Sequence, residues 1–290
     1  MSVVVTVPAT SANLGSGFDT IGLALAWRNA FWFLEPGETP PDLARLLPSD
    51  SLVHRSMARL CQQVGARLSD SLAVYTVAPI PTARGLGSSS TAVVGGLLGA
   101  NGLLGTPLDR EVLLTLALEI EGHPDNVAPA LFGGIQIVAS GVRIAIAPPA
   151  DLTAVVCIPD RLLATDDARA ALPAAWPRAS TVENLGRVSV LTAAFLQRRW
   201  DWLRVGMGDA LHQPYRAPLL PGFTAAVAAA LDAGAWGACL SGSGSTILAL
   251  TTGQEAAIGC AMVRAIERSG DRAEWHALAL DPTGAVAEHC

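Results

Sequence analysis

The segment Pro81-Thr82-Ala83-Arg84-Gly85-Leu86-Gly87-Ser88-Ser89-Ser90-Thr91 constrains this chain more than any other, because an apolar run follows it with no turn between. A glycine-rich loop that feeds straight into a helix leaves the first N–H groups of that helix pointing outwards. There the aligned peptide dipoles favour an anion. Gly85 and Gly87 admit positive φ and let a ligand approach the backbone, while Ser88, Ser89, Ser90 and Thr91 bring hydroxyls to the same turn. Taken alone, the loop is equally what a Gly/Ser turn capping a helix looks like. Two rival sites are excluded on their own terms. A dinucleotide fingerprint wants a third glycine where Ser90 stands, and a strand where Pro79 and Pro81 stand. Asp109 has roughly the offset of the ribose-binding acid, but it opens a helix. The G-x-S-x-G elbow of serine hydrolases occurs nowhere in the chain.

Composition narrows the chemistry further. All 19 basic residues are Arg, so the Walker-A lysine, the strand lysine of protein kinases and Schiff-base chemistry are out of reach. A net charge of −6 argues against a nucleic-acid partner. With 51% hydrophobic and 15% charged residues over 290 positions, the chain can assemble one large core or two moderate ones. Cys61, Cys157, Cys239, Cys260 and Cys290 show no C-x-x-C spacing, which suggests a reduced, cytoplasmic protein with buried thiols. The start MSVVVTVPATSANLG lacks the charge pattern of a signal peptide, and the longest apolar run, Thr91–Leu104, is too short to span a bilayer. No membrane partner is expected.

Periodicity predicts strands at Val3–Val7, Leu72–Ile80, Gly134–Ser140, Val142–Ala147, Thr153–Ile158, Trp236–Gly244, Thr246–Thr251 and Arg272–Leu280. Gly22–Leu34 reads as a strand or a hairpin and Glu35–Asp50 as loop. Helices are expected over Leu52–Leu68, from about Thr91, and from Pro107-Leu108-Asp109 to Gly122, with Asp109 as N-cap. Further helices are expected near Asp166–Leu172, then over Thr181–Arg199, Trp202–His212, Thr224–Ala233 and Gln254–Arg268. The irregular alternation predicts an α+β fold, and Pro148-Pro149 divides it into 1–149 and 150–290.

Three more segments carry polar groups in loops. Pro8–Asp19 follows a strand and holds Asn13 and Asp19; by itself it reads as a strand-to-strand connection. Glu119-Ile-Glu121-Gly-His123-Pro-Asp125-Asn126-Val-Ala-Pro129 ends an apolar helix, and its two glutamates are either solvated helix-end charges or oxygen ligands for Mg²⁺. Cys239-Leu-Ser241-Gly242-Ser243-Gly244-Ser245-Thr246 is a second Gly/Ser loop, and reads equally as a tight hairpin turn.

Together the four segments resemble the GHMP kinase superfamily and, within it, the homoserine kinases. The first is similar to the family's P-x-S-x-N-L-G-x-G-F-D, the loop to P-x-A-R-G-L-G-S-S, and the third to E-G-H-P-D-N-V-A-P. The fourth matches the family's Gly-rich C-terminal motif. Thr165-Asp-Asp-Ala-Arg169-Ala-Ala-Leu-Pro173 and Asp209-Ala-Leu-His-Gln-Pro-Tyr-Arg216-Ala-Pro-Leu-Leu-Pro-Gly-Phe223 are similar to homoserine kinases in particular. The resemblance implies an N-terminal ribosomal-protein-S5-domain-2-like domain that binds ATP and a C-terminal ferredoxin-like α/β sandwich. It implies transfer of the ATP γ-phosphoryl to the side-chain hydroxyl of L-homoserine, in a homodimer. ATP would lie on Pro81, Ala83, Arg84, Gly85, Leu86, Gly87, Ser88, Ser89, Ser90 and Thr91, and the substrate on Asn13, Asp19, His123, Asp125, Arg169, Arg216 and Gly242. Arg169 and Arg216 would grip the carboxylate, with Asp19 or Asp125 on the ammonium. Mg²⁺ would take Ser89 and either Glu119 or Glu121, Glu119 ranking first. Asn126 stands where several relatives carry a catalytic Asp, so hydroxyl orientation without a strong base is expected, with Asn126 and Arg169 as the catalytic groups. Ser16 and Ser245 stand where the family often has Pro, which implies altered turn rigidity. The alternatives are a mevalonate- or sugar-type kinase of the same superfamily and an inactive binding protein.

Overall fold

A computed structural model describes residues 2–105 and 108–290. Its first half contains β1 (Val3–Ala12), β2 (Ile21–Leu34), β3 (Arg45–Leu46), α1 (Leu52–Val64), β4 (Ala73–Val77), α2 (Ser88–Leu103), α3 (Arg110–Glu121), α4 (Pro124–Phe132), β5 (Ile135–Ala139) and β6 (Val142–Ile146). The second half contains β7 (Thr153–Pro159), α5 (Thr165–Ala170), α6 (Arg178–Gln197), α7 (Leu203–Gly206), α8 (Gln213–Arg216), α9 (Phe223–Asp232), β8 (Gly237–Leu240), β9 (Ile247–Thr251), α10 (Glu255–Glu267), β10 (Ala273–Ala279) and β11 (Val286–His289).

Seven strands form the first sheet, in the order β11-β1-β2-β4-β3, with β5 on β2 and β6 on β5. The segment that reads as strand or hairpin is one long strand, β2, whose far half pairs with β4 and whose near half pairs with β5. Its pairing with β1 shifts where Pro8, which has no N–H to give the ladder, faces Arg28. Helices α1 to α4 bury their apolar faces on this sheet through Phe31, Phe33, Val93, Leu97, Leu116 and Val127. Helix α2 is enclosed along most of its length, and its Gly95 and Gly99 lie against the rings of Phe31 and Phe33, where an added Cβ would sit 2.6 and 2.2 Å from ring carbons.

The second sheet has the order β10-β7-β9-β8 and every pair in it is antiparallel. Numbered along the chain that is 4-1-3-2, with α10 between its last two strands, the split βαβ arrangement of a ferredoxin-like sandwich. Helices α9 and α10 cover one face. The other joins a core shared with the first half, in which Leu14, Leu23 and Leu86 pack with Leu191, Met207 and Leu248.

Several local expectations change. The helix expected over Trp202–His212 stops at Gly206, which packs directly on Leu191, where a Cβ would meet Leu191 Cα at 2.7 Å. The buried Asp209 carboxylate then accepts the N–H groups of Leu211, His212 and Gln213. The His-Pro-Asp-Asn stretch begins a helix of its own, α4, with Pro124 in its first turn. Asp109 does cap α3, accepting from Val112 N at 2.8 Å, whereas Pro107 lies outside the described residues. Residues 286–289 fall on the far side of the Pro148-Pro149 division, yet they pair with β1, Val3 opposite His289. Of the five thiols only Cys157 and Cys239 are buried; Cys260 and Cys290 are exposed. No helix among the described residues is long and apolar enough to cross a membrane.

Candidate active site

The glycine-rich loop is held from both sides. Thr10 N, on β1, donates to Leu86 O at 3.1 Å; from the loop after β8, Ser241 Oγ donates to Gly85 O at 2.6 Å. These grips leave no volume for side chains. A Cβ on Gly85 would lie 2.1 Å from Ser241 O and one on Gly87 1.9 Å from Thr10 Oγ1, and both glycines have positive φ, 77° and 67°. Gly87 is the N-cap of α2, and no side chain caps that helix. Its first N–H groups are therefore turned to the cavity that the loop borders.

That cavity, about 580 Å³, brings most of the sequence-predicted residues to one place. Ala83 to Ser89 line it at one end, and Asn13, Asp19, His123, Asp125, Asn126, Arg169, Arg216 and Gly242 line the rest. Pro81, Ser90 and Thr91 are not on its wall. Thr91 Oγ1 instead accepts from Asn29 Nδ2 inside the protein and donates to Ser88 O, each at 2.8 Å. The structure separates the two glutamates. Glu119 lies off the cavity, paired with Arg59, while Glu121 lines it and accepts from Ser89 Oγ and Ser90 Oγ at 3.4 and 3.2 Å.

At the far end charge dominates. Arg169 meets Asp19 through both Nη atoms at 3.2 and 3.1 Å, in a pair that is partly solvated. His123 Nδ1 lies 2.7 Å from the buried Asp125 carboxylate, and that hydrogen bond above all raises the His123 pKa. Asn13 bridges Gly242 O and the Asp19 backbone N–H, which fixes the Asp19 turn. Asn126 Oδ1 accepts the Thr10 hydroxyl at 2.7 Å, which orients the amide and leaves both Nδ2 N–H groups available.

Arg216 is 2% exposed and has no carboxylate within salt-bridge distance among the described residues. Its Nε donates to Ala168 O at 3.2 Å and its Nη1 faces Gly242 O and His212 Nδ1, both at 3.1 Å. Burial, followed by the nearby charge of Arg169, pulls its pKa down. At the loop end Arg84 holds a second orphan, a buried Nη1 with no protein partner among the described residues. The sequence reading missed Thr165, which lines the cavity with its hydroxyl 3.4 Å from Ser243 Oγ. The signal was present: Thr165 stands four residues before Arg169 and so on the same face of a helix. No such signal marks Ser243. At the two Ser-for-Pro positions the hydroxyls are used, Ser16 on Gly206 O at 2.6 Å and Ser245 on Arg161 O at 2.6 Å.

Residues 51–134 match the GHMP kinases N terminal domain and residues 191–266 match the GHMP kinases C terminal domain. A homoserine kinase of Carboxydothermus hydrogenoformans is 44% identical over 92% of this chain and 89% of its own. One from Trichormus variabilis is 42% identical over 98% of both. The crystal structure of a homoserine kinase from Cytophaga hutchinsonii superposes with a TM-score of 0.88 at 31% identity, covering 99% of this chain and 97% of that one. The mevalonate kinase of Methanococcus jannaschii, 12% identical with a TM-score of 0.70 over 96% and 98% of the two chains, shares the fold. The chain belongs to the homoserine kinase family of the GHMP kinases.

Proposed function

We propose that this protein transfers the γ-phosphoryl group of ATP to the side-chain hydroxyl of L-homoserine, giving O-phospho-L-homoserine on the way to threonine. One observation carries the reading. A buried guanidinium with no carboxylate partner, Arg216, shares a cavity with an uncapped, glycine-gripped helix N-terminus. A buried cation without a counter-ion is costly, and a ligand carboxylate relieves that cost. Mevalonate also has a carboxylate, but only an amino acid adds the ammonium that Asp19 can take. In this reading the substrate enters by exchange. Its carboxylate replaces Asp19 on Arg169 and joins Arg216, while its ammonium replaces Arg169 on Asp19. The exchange costs little because the Arg169–Asp19 pair is partly solvated.

The triphosphate lies on the N–H groups of the loop and of the first turn of α2, with Arg84 Nη1 as the cation where other kinases use lysine. The residues present fit Mg²⁺: Ser89 and Glu121 put a hydroxyl and a carboxylate 3.4 Å apart beside the phosphates, two hard oxygens of the kind Mg²⁺ takes besides phosphate and water. When bound, Mg²⁺ neutralises phosphate charge. Asn126, anchored by Thr10, donates to the attacking hydroxyl and orients it, and the proton leaves to a phosphate oxygen or to water. Positioning and charge stabilisation supply the rate, and no strong base is needed.

The test is ADP release from Mg-ATP with L-homoserine, D-homoserine, L-threonine, mevalonate and galactose in parallel. Turnover confined to L-homoserine is expected. Turnover of mevalonate or galactose alone would remove the amino-acid pocket, and silence on all five with ATP still bound would leave a binding protein.

A further inference from the structure

His212 lies one helical turn before Arg216 and is fully buried. Its Nε2 is 2.9 Å from Gly15 O, which can only accept, so Nε2 carries the proton. Its Nδ1 is 3.1 Å from Arg216 Nη1, which can only donate, so Nδ1 carries the lone pair. The two contacts together specify one neutral tautomer. The ring stacks on Phe18 at 5.1 Å, and Phe18 also lies under the Arg216 guanidinium. The charges facing the imidazole are Arg216 and, 3.6 Å from Nε2, Asp209, with Asp19 further off. Asp209 is already engaged by three backbone N–H groups. Burial, the largest influence on this group, lowers the His212 pKa and so favours the neutral ring that the two contacts require.

The consequence falls on Arg216. Nε is committed to Ala168 O, and the two N–H bonds of Nη1 are committed to His212 and Gly242 O. Only Nη2 is left without a protein partner among the described residues. We infer that His212 is a positioning residue for the substrate carboxylate: by accepting from Nη1 it fixes the plane of the Arg216 guanidinium so that Nη2 serves the cavity. A doubly protonated ring would set N–H against N–H and put a second positive charge beside the first. This inference rests on the reading of the cavity as an amino-acid site.

The experiment compares L-homoserine with 3-aminopropan-1-ol, the same molecule without its carboxylate, as phosphoryl acceptors for the wild type, His212→Phe and His212→Asn. Phe keeps the stacking and removes both polar contacts, whereas Asn places an acceptor oxygen near the position of Nδ1. The readout is the ratio of kcat/KM for the two acceptors. His212→Phe is expected to lower the ratio about tenfold with KM for ATP within about twofold, and His212→Asn to restore most of it. Acidification that protonates His212 is expected to lower the ratio in the wild type as well, which decides the matter if neither variant folds. An unchanged ratio in His212→Phe, equal losses on both acceptors in both variants, or a wild-type ratio flat with pH would overturn the proposal. A wild type that does not favour L-homoserine would overturn the functional reading itself, and the wild-type arm alone shows this.

Discussion

At one end of the cavity the groups turned to a ligand are backbone N–H groups and serine hydroxyls; at the other they are Arg169, Arg216, Asp19 and the His123–Asp125 pair. The loop end depends on shape. Its two glycines sit where a single methyl group would collide with Ser241 or Thr10, and nothing on its backbone titrates. The opposite end depends on charge, from the buried Arg216 and Asp125 to the partly solvated Arg169–Asp19 pair, so it responds to charge changes and to pH. In the proposed reaction the first places a highly charged group without side-chain reorganisation, and the second chooses which acceptor is placed beside it.

The largest effect is expected at the loop end. Gly85→Ala forces a Cβ to within 2.1 Å of a backbone oxygen at a φ of +77°, so the loop must move. The expected loss is about 10³ in kcat/KM for ATP and about 1–3 kcal/mol in stability, read by kinetics and thermal unfolding. Wild-type activity would mean that the loop does not carry the phosphates. At the substrate end, Arg216→Lys keeps the charge and loses the planar fork. KM for L-homoserine is expected to rise about 100-fold with KM for ATP unchanged, and an equal rise in both would erase the division between the ends.

The two glutamates sharpen the boundary. Glu121→Gln is expected to raise the half-saturating Mg²⁺ concentration about tenfold in a metal titration, whereas Glu119→Gln breaks only a surface pair, a change of about 0–1 kcal/mol in stability. The reverse result would restore Glu119 as the ligand.

The smallest effects are in the pH dependence of stability, where the two histidines have opposite signs. The His123 pKa is raised above 6.5, so its stabilising contribution is complete below that pH and is lost as pH rises through the raised value. The His212 pKa is lowered below 6.5, so its contribution is complete above that pH and is lost as pH falls through the lowered value. Melting temperatures of His123→Asn and His212→Asn, each subtracted from wild type, are therefore expected to converge with wild type in opposite directions from pH 6.5, the first as pH rises and the second as it falls. Parallel curves would show that one histidine is not in the state described.

The loop end was legible in the sequence because its determinants are contiguous: glycine spacing, hydroxyls and an apolar run appear in the order in which the backbone uses them. Helix α4 was harder. It was not among the expected helices, although Pro124 in its first turn forfeits no hydrogen bond. Glu119 and Glu121 look equivalent in sequence. Two residues along a helix turn the side chain to another face, and only the packing of α1 against α3 shows that Arg59 claims the first. His212 stands one helical turn before Arg216 in the sequence, but its other partner, Gly15, lies 197 residues away on the loop after β1 and meets the ring only in the folded chain.

By itself, then, the sequence determined the α+β class, the glycine-rich turn at the head of a helix, the absence of lysine chemistry and most of the residues that meet around the cavity. The tertiary structure decided the return of β11 to the first sheet, which glutamate lines the cavity, the Asp19–Arg169 pairing and the tautomer of His212. The physical reason is the range of the interactions. Positive φ, capping and helix dipoles act within a few residues of chain. A buried charge, in contrast, is defined by whatever the fold brings within about 4 Å of it, however distant in sequence.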